Sequence, residues 1–250
     1  MEHFALAEQR IITVETPYGY VETVVGKILN RELVFMSRHG SDHATPPHLV
    51  NYRANIWALR KLGVRKIVAT AAVGSLSSDF RSGELVLLDQ FLDFTKNRPQ
   101  TFYEGEKQGV LHVDMTEPYC SAVRRVMMDA SEQLGIAVKN GACYVCTEGP
   151  RFETPAEIRM FQRLGADLVG MTSVPEVVLA RELGMCYASI GMVTNEAAGI
   201  ATHPLTHAEV MGSMKALGIK VAQLFRATLE RWTPEQNCRC ASANGEVGKF

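Results

Sequence analysis

The chain has 250 residues, 46% hydrophobic and 21% charged, with 26 basic side chains against 27 acidic ones and a net charge of −1. That is the composition of an ordinary globular protein, one large domain or two small ones, with no field to attract nucleic acid or an anionic membrane. Met1–Arg10 has neither the basic start nor the apolar core of a signal peptide, and no apolar run approaches a membrane span, so a cytoplasmic protein acting on small molecules is expected.

Strands and helices alternate along the sequence. Ile11–Glu15, Val21–Val25 and Glu32–Met36 read as strands, being β-branched or apolar and broken by turn residues. Asn51–Leu62 reads as a helix, with Ile56, Leu59 and Leu62 at helical spacing and Gly63 as its stop. Lys66–Ala72 and Leu85–Asp89 are short buried strands, and Pro118–Leu134 is a helix closed by Gly135. Further strands are expected at 141–147, 168–171 and 185–193, and helices at 155–164, 175–183 and 206–232. Such alternation predicts a single α/β domain over 1–232, with a mostly parallel or mixed sheet flanked by helices and ligands at the carboxyl ends of its strands. Residues 233–250 are polar and are expected to form a disordered tail.

Several strand ends carry residues suited to chemistry. Ser37-Arg-His-Gly40 follows a strand, and the planar fork of Arg38 matches phosphate oxygens; taken alone, the motif fits a solvated arginine among surface histidines equally well. Thr70–Ser75 ends a strand in small residues, which suit close backbone approach to a ligand or simply tight packing. In Glu148-Gly-Pro-Arg-Phe-Glu-Thr-Pro155, Thr154 and Pro155 have the pattern of a helix start. Glu153 beside them either complements the helix dipole or, with Phe152, makes a face for a purine. Met171–Ala180 joins a strand end to a helix start, where unpaired N–H groups gather. Thr194-Asn195 ends the following strand and offers an amide.

Together, Ser37–Gly40, Asn51–Asn55, Gly149–Glu153, Met171–Ala180 and Thr194–Asn195, in that order, resemble the purine nucleoside phosphorylases of the trimeric type, a group that includes the methylthioadenosine phosphorylases. The resemblance runs from Thr16 to Trp232 and implies attack of inorganic phosphate on the anomeric carbon while the purine departs. It further implies that Arg38, His39, the Ala72 backbone and Thr172 bind phosphate, that Met171 underlies the ribose, and that Phe152 stacks on the base. His112 resembles a residue that enters a neighbouring subunit's ribose pocket, which implies a homotrimer or a hexamer, and His207 resembles the histidine that meets a free 5′-hydroxyl. Glu153 and Asn195 are the implied catalytic and base-reading pair. Their chemistry matches inosine and guanosine; methylthioinosine and methylthioadenosine are the alternatives, as is a nucleoside-binding relative without turnover. No metal or organic cofactor is implied.

The pattern departs from the family in one region. Its members open with an apolar strand and a Gly-Gly-Ser/Thr-Gly-Leu phosphate turn, and this sequence has neither; Ala71 also stands where many relatives have a polar side chain. A start placed too late, a truncated gene or a variant with weakened phosphate binding each fits. Of the 6 cysteines, Cys143 and Cys146 have knuckle spacing without a second pair and are expected to be structural. Cys238 and Cys240 resemble paired cysteines that form disulfides in family members from hot environments, whereas a cytoplasm favours reduced thiols.

Overall fold

The apolar runs that alternate along the sequence assemble into two sheets. A computed structural model of the chain describes residues 6–40, 42, 44–105, 107–201, 206–233, 237–243 and 245, without the side chains of 207–209. Strands β1 (Ala7–Thr16), β2 (Gly19–Ile28) and β3 (Arg31–Phe35) form an antiparallel three-stranded sheet, a meander apart from the main sheet. Helix α1 (Tyr52–Lys61) is capped by Asn51, whose side chain accepts from the Ala54 N–H, and its Ala54 and Ala58 pack against Val14 and Val21 of the meander.

The main sheet has seven strands in the order β6-β8-β9-β4-β10-β5-β7 and mixed direction. Its centre is β4 (Lys66–Ser75), paired in parallel with β10 (Cys186–Glu196). The remaining strands are β5 (Leu85–Leu87), β6 (Gln90–Phe94), β7 (Val138–Asn140), β8 (Cys143–Thr147) and β9 (Leu168–Gly170). Helices α2 (Ser121–Leu134) and α5 (His207–Arg231) pack together on one face, with Val123, Met127, Leu217, Val221 and Leu224 in a shared core. Helix α4 (Ser173–Glu182) lies in the other core and α3 (Pro155–Arg163) covers β8 and β9.

The expected single α/β architecture is observed, with three local differences. β6 was not anticipated, because Gln90–Phe94 pairs only with distant β8 and has no clean alternation of its own. The strand expected over 141–147 is β8, and a further short strand, β7, precedes it across Gly141, which takes a left-handed φ of +94°. Residues 237–243 of the tail are ordered by packing: Cys240 is 3% exposed among the residues of the α2–α5 core, since a cysteine buries like a small hydrophobe. Residues 234–236, 244 and 246–250 lie outside the described residues.

One glycine is required by a close approach. A Cβ at Gly170, the last residue of β9, would lie 2.5 Å from the hydroxyl of buried Tyr144, which accepts from the Thr172 N–H at 3.1 Å. Gly170→Ala is expected to destabilise by about 1–3 kcal/mol through overpacking. Thermal melts read this as a fall of about 2–4 °C per kcal/mol; an unchanged Tm would show that Tyr144 moves aside freely.

Candidate functional site

Strands β8 and β9 run antiparallel to the β4–β10 pair, β9 pairing with β4 at Gly74 and Ser75, and the ends of these four strands with the loops leaving them carry most of the residues singled out above. Between Val193 and Asn195 the register of β10 against β4 shifts by one residue, a bulge at Thr194. Bulges next to sites re-aim side chains. The bulged Thr194 carbonyl accepts from the hydroxyls of Ser82 (3.0 Å) and of Ser213 on α5 (3.1 Å), so its disrupted ladder position is satisfied from two sides. The Thr194 hydroxyl donates to Asn195 Oδ1 at 2.8 Å, and Asn195 Nδ2 donates to the Glu196 carbonyl at 2.8 Å. These two bonds orient the amide with its oxygen already engaged and a second N–H still to give.

Glu153 is turned inward rather than onto the helix. The capping box of α3 is made by Thr154 and Glu157, which exchange bonds at 3.2 and 2.7 Å. Glu153 is left 9% exposed, accepting from the Thr147 hydroxyl at 2.6 Å at the end of β8. Burial raises its carboxyl above the usual carboxylate range, with the Thr147 bond partly opposing. Phe152, its neighbour, remains 40% exposed.

Arg38 sits in a turn beyond β3. Its Nε and Nη2 each donate at 2.8 Å to the Glu176 carboxylate, and Nη1 donates at 2.8 Å to the Thr70 carbonyl of β4. Burial opposes its charge, but Glu176 outweighs it and holds the guanidinium above its ordinary range. Tyr187 of β10 donates to the same carboxylate at 2.8 Å. Arg38 is therefore fixed to both central strands with two of its five N–H groups uncommitted by these bonds. Further along the β4 edge Ala72 is exposed, whereas Ala71 points into the core, because strand residues alternate faces. His39 donates from Nδ1 to the Thr45 carbonyl at 2.8 Å, which orients its ring. Thr172 is 9% exposed at the N-cap of α4 and makes no side-chain capping bond.

Sequence reading missed Arg98. This side chain is 1% exposed, its Nη1 donating to the Met171 (2.7 Å) and Val174 (2.8 Å) carbonyls and its Nη2 to those of Thr147 (3.2 Å) and Glu148 (2.7 Å). It ties the loop after β8 to the loop after β9, and it also donates to Tyr52, whose own hydroxyl bonds the Pro47 carbonyl at 2.8 Å. Nothing in Asn97-Arg-Pro99 signals this, since its partners are carbonyls of segments far along the chain.

Other expected residues fall elsewhere. His112 is exposed in the coil after the Gly105–Gly109 bridge and is not one of the group just described. His207 opens α5, and its side chain lies outside the described residues, as does His43. Cys143 and Cys146 stay apart from any cysteine group, and burial pushes both thiols up to about 11. No cluster of ligating side chains is legible in the sequence, yet Cys120, Cys186, Cys238 and Cys240 meet with their sulfurs within 4.8 Å of one another. Their spacing of 66, 52 and 2 residues hid them.

The sequence profile of the Phosphorylase superfamily matches residues 2–230. The chain belongs to that superfamily. A relative in Moorella thermoacetica, called a probable 6-oxopurine nucleoside phosphorylase, is 53% identical over 234 residues, 94% of this chain and 90% of its own. A probable S-methyl-5′-thioinosine phosphorylase of Methanopyrus kandleri is 50% identical over 94% of this chain and 91% of its own. In three dimensions this phosphorylase matches the crystal structure of a methylthioadenosine phosphorylase from an antarctic soil metagenomic library, with a TM-score of 0.90 and 34% identity over 97% of this chain and 86% of that one.

The Arg38–Glu176 pair gives a test of how the site is held. Glu176→Gln leaves a buried guanidinium without its counter-charge, so a loss of about 3–5 kcal/mol is expected in denaturant unfolding. A loss below about 1 kcal/mol would mean that Arg38 finds solvent instead.

Proposed function

We propose that this phosphorylase transfers ribose from a 6-oxopurine nucleoside, inosine or guanosine, to inorganic phosphate, in purine salvage. The observation that carries the reading is the polarity of the two base-facing candidates. Asn195 has its oxygen engaged by Thr194 and an N–H to donate, while Glu153 has acceptor capacity beyond its bond from Thr147. A 6-oxopurine presents the converse set, with acceptors at O6 and N7 and a donor at N1. Adenine presents a donor at its 6-position, against which an amide held in this way is mismatched.

In this reading Arg38, His39, the Ala72 backbone and Thr172 hold phosphate, Met171 underlies the ribose and Phe152 stacks on the base. Asn195 and Glu153 stabilise charge on the departing purine, a task of placed dipoles rather than of a cofactor. His207 meets the 5′-hydroxyl, and a cytoplasmic homotrimer supplies His112 from the adjacent subunit. The exposed apolar side chains Met160 and Leu164 at α3 support an assembly of that kind. No helix among the described residues is long and apolar enough to cross a membrane.

The decisive assay is release of hypoxanthine from inosine, with and without phosphate, beside methylthioinosine, adenosine and methylthioadenosine. Phosphate-dependent release from inosine, exceeding that from methylthioinosine, is expected. Preference for methylthioinosine would transfer the reading to the 5′-methylthio substrate, and turnover of methylthioadenosine alone would refute it. Asn195→Asp exchanges donor for acceptor and is expected to lower kcat/KM for inosine about tenfold to a hundredfold while raising the adenosine-to-inosine ratio.

The protonation of Glu153 sets an acid limb. Its ionised form accepts from N1–H, and burial raises its pKa, so activity is complete above that raised value and is lost as pH falls through it. The limb in kcat/KM is expected at higher pH than an ordinary carboxylate would produce, and Glu153→Gln should flatten it at a lower plateau. A limb that survives the substitution would assign it to another group.

A further inference from the structure

At the far end of β10 from Asn195 lies a second constellation that the phosphorolysis does not use. Cys120 is the N-cap of α2, Cys186 is the first residue of β10, and Cys238 and Cys240 come from the tail. All four sulfurs lie within 4.8 Å of one another, with 3.4 Å between Cys186 and Cys238. Ideal tetrahedral thiolate ligation at a zinc–sulfur distance of about 2.3 Å places sulfurs about 3.8 Å apart, within this spread. The set has the size for a single ion and leaves no room for the bridging sulfides of a cluster.

The surroundings favour thiolates. Buried Arg181 donates from Nη1 to Cys240 Sγ at 3.5 Å, while its Nε and Nη2 donate to the Asp114 carbonyl at 3.3 and 2.9 Å. Cys120 also sits at the positive end of a 14-residue helix. Four thiolates and a divalent ion carry −2, which the Arg181 guanidinium partly offsets.

We propose that Cys120, Cys186, Cys238 and Cys240 form a tetrathiolate site for one zinc-class divalent ion, fastening the tail to the start of α2 and of β10. Soft thiolate donors in tetrahedral array select zinc or a similar ion over hard cations. The ligand set is complete without water, so the site is structural. It also lies nine residues along β10 from Asn195, about 30 Å at strand rise. Metal uptake releases thiol protons to solvent and weakens at acid pH.

The full chain, purified under reducing conditions without added chelator, is to be assayed by elemental analysis and by thiol titration. About one zinc per chain is expected, with the four thiols protected until a chelator is added. Cobalt substitution of the wild type should give the visible bands of tetrahedral thiolate ligation, a readout that needs no variant. Cys240→Ser should lose the metal and lower Tm by several degrees, while turnover of inosine at moderate temperature stays within twofold. A reduced chain that takes up no zinc or cobalt, or a chain isolated 4 mass units light with two disulfides among these cysteines, would overturn the proposal.

Discussion

Helix α4 is buried on nearly every side, and it contains Glu176, Arg181 and Glu182. A helix in that position would ordinarily be apolar all round. Each of its charges must therefore find a partner within the protein, because an unpaired buried charge costs several kcal/mol. Glu176 takes Arg38 and Tyr187, Glu182 takes the Thr101 hydroxyl and the Phe102 N–H, and Arg181 takes the Asp114 carbonyl and Cys240. Through these partners one helix anchors the turn after β3, the loop after β6 and the tail.

The same logic governs the site. Its loops leave the strand ends with carbonyls that no ladder pairs, and buried side chains satisfy them. Arg98 collects four such carbonyls from two loops, and Ser82 and Ser213 share that of Thr194. The groups assigned to the base are thus oriented before any ligand arrives, Asn195 by Thr194 and Glu153 by Thr147. Preorganised polar groups of this kind stabilise developing charge without rearranging as it forms.

The two ends of β10 divide the labour. Its carboxyl end carries the bulge and the amide proposed to meet the purine, and its amino end carries Cys186 in the thiol quartet. Between them the strand is buried throughout, paired with β4 on one edge and β5 on the other.

Periodicity and punctuation by themselves determined much of this protein: the α/β alternation, nearly every long element, the Thr154–Pro155 helix start and the order of the strand-end motifs. These are local properties, written within a few residues of one another. Only the tertiary structure decided that Glu157 rather than Glu153 caps α3, that Arg98 holds the loops together, and that Ala71 faces inward. It alone brought Cys120, Cys186, Cys238 and Cys240 into one group and drew the polar tail into the core. Each of those outcomes depends on which distant segment lies within bonding distance, and sequence spacing does not encode that separation.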